Sequence, residues 1–304
     1  MSQLRKVLTW STIVIFAAGA VWFGLSVYKT RATSGAPATN KAEQTIPEHV
    51  TAASGSLGSY GAIESSLWKR ADPKLAAERF SELLARAEAG DVVAQRDLAN
   101  LYQRCSVFSL SPSNMYSMLD TFARMRGEPE GAYDDIKKRF SATCAEVDGG
   151  QVIPQVAYAN WFERAARQGD TYSKIAIASA NLTSLKPGDY QAIARDAVNS
   201  ADAEAIFALG DLLAMAPESA DLAEFKSVAT GPYANYAWGI VACRMGADCG
   251  TGSFRMDSLC MNTGVCGTAG FEDAIRTNAV PAGQQESLDK AIVEVQEVVR
   301  KKST

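Results

Sequence analysis

The side chains able to do chemistry in this sequence are six cysteines and little else. Cys105, Cys144, Cys243, Cys249, Cys260 and Cys266 make an even set, and the last four run C-x5-C-x10-C-x5-C. Structural zinc sites usually hold paired cysteines about two to four residues apart, closer than these. Free buried thiols are a further alternative, but an even, clustered set points first to disulfides formed in an oxidising compartment. Gly246 lies between Cys243 and Cys249, and Gly264 between Cys260 and Cys266. A left-handed glycine just past a helix end reverses the chain, which carries the following cysteine back onto the last helical turn. The expected pairs are Cys243–Cys249 and Cys260–Cys266, leaving Cys105–Cys144 to tie two longer elements.

Catalysis needs positioned acids, bases, nucleophiles or metals. His49 is the single histidine and stands among small polar residues, so histidine triads and histidine-rich metal sites are absent. No phosphate-binding loop, dinucleotide fingerprint, G-x-S-x-G or H-E-x-x-H motif occurs. Glu64-Ser65 is similar to the Glu-Ser pair of some helical peptidoglycan lyases, yet it sits among Gly, Ser and Ala with no apolar pocket to raise a carboxyl pKa. Asp134-Asp135 and Glu128-x-Glu130 lack a calcium-loop pattern. No catalytic residue, cofactor-binding residue or metal ligand is assigned, and no cofactor is expected. The runner-up is an enzyme acting on peptidoglycan in the cell envelope, through carboxylates that the fold brings together.

The elements around these residues fall into three parts. Residues 1–31 form an N-terminal membrane anchor: Val7 to Tyr28 carries no charge, and Lys29 and Arg31 close it. As a helix this run rises roughly 33 Å, enough for a hydrocarbon core of about 30 Å. Ala18-Gly19-Ala20 resembles a cleavage site, so a removed signal peptide is the alternative, although the apolar run continues past it. Residues 32–67 are small and polar and make a flexible linker. Residues 68–304 are the folded body, with a disulfide-rich C-terminal part. Basic flanks of the anchor nearly balance, so the cysteines set the topology: body outside the cytosol, as in a bacterial inner-membrane protein facing the periplasm. Beyond residue 31 the chain has a charge of −8, which argues against a nucleic-acid partner.

In the body, helix signals recur and strand signals do not. Asp72-Pro73 pairs an N-cap with a proline at the first helical position, and Ala76, Phe80, Leu83, Leu84 and Ala87 form one apolar stripe ending at Gly90. Similar starts occur at Ser111-Pro112 and Pro154, and Leu288, Ile292, Val295 and Val299 mark a last helix with a basic end. The fold class is all-α.

Four segments align: Gly90-Asp91 with Ala94, Leu98 and Ala99; Gly169-Asp170 with Ser173, Ile177 and Ala178; Ala201-Asp202 with Ala205, Leu209 and Gly210; and Tyr233 with Ala237, Val241 and Ala242. Small, apolar and small residues at this spacing let two helices approach closely. Ala178 and Gly210 take the narrowest points, and Glu204 takes the solvent side. Ala159-Asn160-Trp161-Phe162-Glu163-Arg164-Ala165-Ala166-Arg167-Gln168-Gly169-Asp170 resembles the Sel-like repeat, a relative of the tetratricopeptide repeat. The residues from Ala201 to Gly210 are similar to its second helix, and Glu88 to Gln95 is a third partial match. The glycine-rich linker usual after the second helix is missing behind Tyr102, and Asn181 stands where an aromatic belongs. The resemblance implies a helix-hairpin array, an α-solenoid, with a concave face that binds a protein or peptide partner. In that register Arg164 and Arg167 lie on a first helix and are the candidate partner-binding residues, since a guanidinium stacks and forms paired hydrogen bonds.

Overall fold

The computed structural model describes residues 68–266 and 269–302, all within a compact unit that runs from Gly55 to Thr304. The expected anchor and linker, with His49 and Glu64, lie outside these residues. Among the described residues every regular element is helical, and no helix is long and apolar enough to cross a membrane.

The first pair is α1 (Pro73–Glu88) and α2 (Val92–Leu110). Asp72 caps α1 by accepting from the Leu75 amide at 3.2 Å, and Pro73 fills a position where no N–H is needed. The chain continues through α3 (Pro112–Arg126) and α4 (Asp134–Cys144) to a second pair, α5 (Gln155–Arg167) and α6 (Thr171–Ala180). A third pair follows, α7 (Pro187–Ser200) and α8 (Ala203–Ala214), then the short α9 (Lys226–Ala229) and α10 (Ala234–Arg244). The C-terminal part holds α11 (Phe254–Thr263), the short α12 (Phe271–Ala274) and α13 (Gln285–Lys302).

The aligned segments share one local design. Before α2, α6 and α8 the chain turns through a left-handed residue: Gly90 at φ 94°, Gly169 at 99° and Ala201 at 52°. An aspartate then caps each helix. Asp91 accepts from the Ala94 amide at 3.0 Å, Asp170 from Ser173 at 2.7 Å and Asp202 from Glu204 at 2.9 Å. The aligned small residues Ala94, Ser173, Ala205 and Ala237 are all 0% exposed, as helix-on-helix contact requires. The fourth copy has no side-chain cap, because Tyr233 occupies that place, and Ile177 is only half-buried in the second. Where the linker is missing, α2 runs on to Leu110, and the inserted α3 and α4 are bolted back to it through Cys105–Cys144.

All three cysteine pairs are those expected. Their Cα atoms lie 5.3 Å apart in Cys105–Cys144, 5.6 Å in Cys243–Cys249 and 4.5 Å in Cys260–Cys266. Gly246 (φ 110°) and Gly264 (φ 74°) supply the left-handed reversals within the two short loops. Alkylation of the unreduced native chain is expected to add no mass at cysteine. Six alkylated thiols would refute the disulfide set.

Two hydrophobic cores result. One is built from residues between Trp68 and Ile153 with Cys260, the other from residues between Ile175 and Val299. Trp68 plugs the first, edge-on to Phe140 and Phe254 at centroid distances of 4.9 and 5.0 Å. Its indole N–H donates to Asp257 at 2.8 Å, and Arg139 donates twice to the same carboxylate at 2.7 Å. The beginning of the body is thereby locked to α4 and α11.

Candidate functional site

The apolar side of α2 belongs to the first core, and every residue from Ala94 to Tyr102 is buried. An amphipathic surface helix buries one stripe and solvates the rest. Here the polar side is buried as well, which is tolerable only if its groups are paired. Gln95 donates to the Ala87 carbonyl at 3.1 Å and accepts from Gln168 at 2.8 Å, joining α1, α2 and the end of α5. Asn100 accepts from the Tyr172 hydroxyl on α6 at 2.9 Å.

Arg96 is the hub of this face. It donates to Asp97 at 3.3 Å, to Asp170 at 3.4 Å and to Asp202 at 2.8 Å. Asp170 and Asp202 therefore work twice, each capping its helix with one oxygen and holding Arg96 with the other. The first-copy aspartate differs: Asp91 pairs with Arg86 inside its own hairpin. Burial draws the Arg96 pKa down, but the charges of Asp97, Asp202 and Asp170 outweigh it and hold the guanidinium above its ordinary value. Burial pushes the Asp97 carboxyl up, against the pull of Arg96.

The polar side of α2 faces a recess of about 250 Å³, closed by α6, α8 and α11. The Arg255 guanidinium carbon of α11 stands over Phe207, 3.5 Å from the ring centroid, and the side chain is ion-paired with Glu204. Its Nη1 atom is buried and has no hydrogen-bond partner among the described residues. Glu204 also accepts from the Asp248 amide at 3.1 Å, so it anchors the loop closed by Cys243–Cys249. This corrects the solvent-side placement of Glu204: an acidic residue beside an N-cap reads as an exposed first turn, but the C-terminal loop folds over it. Arg104 lies over Phe254 at 4.7 Å from the centroid. Asp211 is exposed at the mouth, where the surrounding walls push its carboxyl pKa up while Arg255 opposes them. Tyr172 is pushed up to about 12 by its burial, so it stays a neutral donor to Asn100.

Comparison with protein-family models, curated proteins and solved structures returns no match.

The residues carried from the sequence take other places. Arg164 is exposed on α5 and stacks on Trp161, 4.5 Å from the ring centroid; Arg167 is exposed and pairs with Glu163 at 3.4 Å. Phe162 and Ala165 form the buried side of α5, and Ala166 is half-buried. Neither arginine lines the recess, which is lined by second helices and α11. Arg96, Asp97 and Asn100 drew no attention in the sequence because charged neighbours on a helix read as a solvated face. Their signal is indirect: Asp170 and Asp202 occupy equivalent repeat positions and converge on one guanidinium.

Proposed function

We propose that this chain is a non-catalytic binding protein, tethered to a membrane by its N-terminal segment, with a Sel-like-type repeat array outside the cytosol. Its ligand, a protein or peptide, seats in the recess on the polar side of α2. One observation carries this reading. The recess is walled by arginines and carboxylates already held by rings and caps, so side chains need little reordering on binding, which lowers its entropic cost. The disulfides support an oxidising compartment, and the acidic body disfavours nucleic acid.

The runner-up, an envelope enzyme working through carboxylates, draws on Asp97 and Asp211, whose pKa values are both raised at one recess. Asp97 is already committed to Arg96, and among the described residues no nucleophile with an adjacent base stands beside either, so binding is preferred. Ala208, half-buried on the recess wall, supplies the test. In capture from an envelope extract, Ala208→Trp is expected to lose the ligand at least tenfold, whereas Arg164→Ala with Arg167→Ala keeps it. The reverse pattern moves the binding surface to the outer face of α5. Peptidoglycan cleavage by the purified chain, lost in Asp211→Asn, would establish the enzyme reading instead.

A further inference from the structure

Away from the recess, four exposed apolar side chains gather at one end of the α2–α5 pair. The two helices run antiparallel. Gln168 donates to Gln95 at 2.8 Å near one end, and the Ile153 amide donates to the Ser109 hydroxyl oxygen at 3.0 Å at the other. Leu110 follows Ser109 and Val152 precedes Ile153, while Val107 and Val156 lie about one turn further in along α2 and α5. Their exposures are 67%, 53%, 54% and 60%. Single exposed apolar residues are ordinary, but a cluster of them marks a contact surface. None of the four lines the recess or the second hollow, beside α13. The face therefore offers a surface to a folded partner, not a groove to an extended peptide.

The charge pattern says which partner. No residue from Cys105 to Leu119 or from Gly149 to Phe162 is charged, although the chain beyond residue 31 is acidic. A face read by opposite charge would carry charge of its own, and one resting on lipid would carry lysines and arginines at its polar edge. These stretches have neither. The exposed polar side chains beside the apolar four on α5 and ahead of it are Gln151, Gln155 and Asn160, amides that both donate and accept hydrogen bonds. A two-fold contact sets a patch against itself. Any charge on such a patch would face its own copy, whereas an amide can pair with an amide. It also lets two acidic bodies touch where neither is charged. We propose that two copies of this chain associate in two-fold contact through the Leu110 and Val152 end of the α2–α5 pair, apart from the recess.

Sedimentation equilibrium of the full-length chain in density-matched detergent tests this. Measurement extends to about 100 μM, because a contact of limited area belongs to the weak, transient class. The unsubstituted chain is expected to dimerise. Leu110→Asp and Leu110→Lys, each at an exposed position, are each expected to weaken the dimer at least tenfold with an unchanged circular dichroism spectrum. Mixing the two variants is expected to restore association, since opposite charges then meet across the contact. Val156→Asp should act as Leu110→Asp does, and Val293→Asp, 52% exposed on α13, should leave the dimer intact. A monomer at every concentration overturns the proposal. A dimer that survives Leu110→Asp and Val156→Asp lies elsewhere, the N-terminal segment included, and overturns it too. Dissociation in Val293→Asp as well would mean unspecific apolar association. If both Leu110 variants dissociate and their mixture stays apart, the patch meets a different surface and the two-fold contact falls.

Discussion

Gly210→Ala is expected to lower the melting temperature by up to about 8 °C, and Gly210→Leu is expected to yield little folded protein. A Cβ built on Gly210 falls 2.5 Å from the Cβ of Trp238 and 3.3 Å from its Cγ. The obstruction is the root of a side chain, not a mobile tip, so α10 itself must move. Trp238 cannot step aside: it is 0% exposed and its indole N–H donates to the Val228 carbonyl at 2.9 Å. Overpacking of this kind costs about 1–3 kcal/mol, and in a body of this size each kcal/mol is worth about 2–4 °C. The helix-propensity gain of alanine over glycine, about 1 kcal/mol, acts in the opposite direction, which makes the sign informative. A melting temperature that rises in Gly210→Ala would mean that α8 and α10 are farther apart than described. The equivalent residues Ala99, Ala178 and Ala242 already carry a methyl group at this register, each 5% exposed or less. At Gly210 the root of Trp238 takes the space that such a methyl group would need.

Much of this packing was legible in the sequence, because periodic small residues, aspartate caps and glycine reversals are local signals. Asp91, Asp170 and Asp202 announce helix starts from their own neighbours, and Gly246 and Gly264 announce the short disulfide loops. What lies in the fold alone is the second use of those residues. Nothing in the segment around Arg96 says that Asp170, 74 residues on, and Asp202, 106 residues on, meet the same guanidinium. Glu204 shows the same limit, since its position is acidic and helix-initial, and only the returning loop at Asp248 encloses it. The recess escaped a motif search for a physical reason. Its members come from four helices, from Trp68 ahead of α1 and from the loop at Asp248, so they are scattered along the sequence.

That hub gives the second large effect. Arg96→Leu is expected to destabilise the body by about 3–5 kcal/mol at pH 7.5, since removing one partner strands the others as buried charge. Arg96 is 9% exposed on its side chain, and so closely are Asp97 and Asp170, at 8% each, while Asp202 is partly open at 28%. The leucine retains much of the packing volume, so the loss reports chiefly on the stranded carboxylates. Two further variants separate charge from shape. Asp170→Asn keeps a good N-cap side chain while removing one negative charge, so combined with Arg96→Leu it is expected to recover part of the loss. Arg167→Leu, with its side chain 68% exposed and paired along one helix face, is expected to change nothing measurable. The pH dependence has a definite sign. Asp97 already has its folded-state pKa raised, and loss of Arg96 removes the charge that opposed the rise. A raised carboxylate pKa penalises the folded state above that pKa, and the penalty disappears as pH falls below the unfolded value. The deficit of Arg96→Leu relative to the unsubstituted chain, read from urea denaturation midpoints, should therefore shrink between pH 7.5 and pH 4. A deficit that is absent at pH 7.5, or that grows on acidification, would show that the three carboxylates do not share one guanidinium.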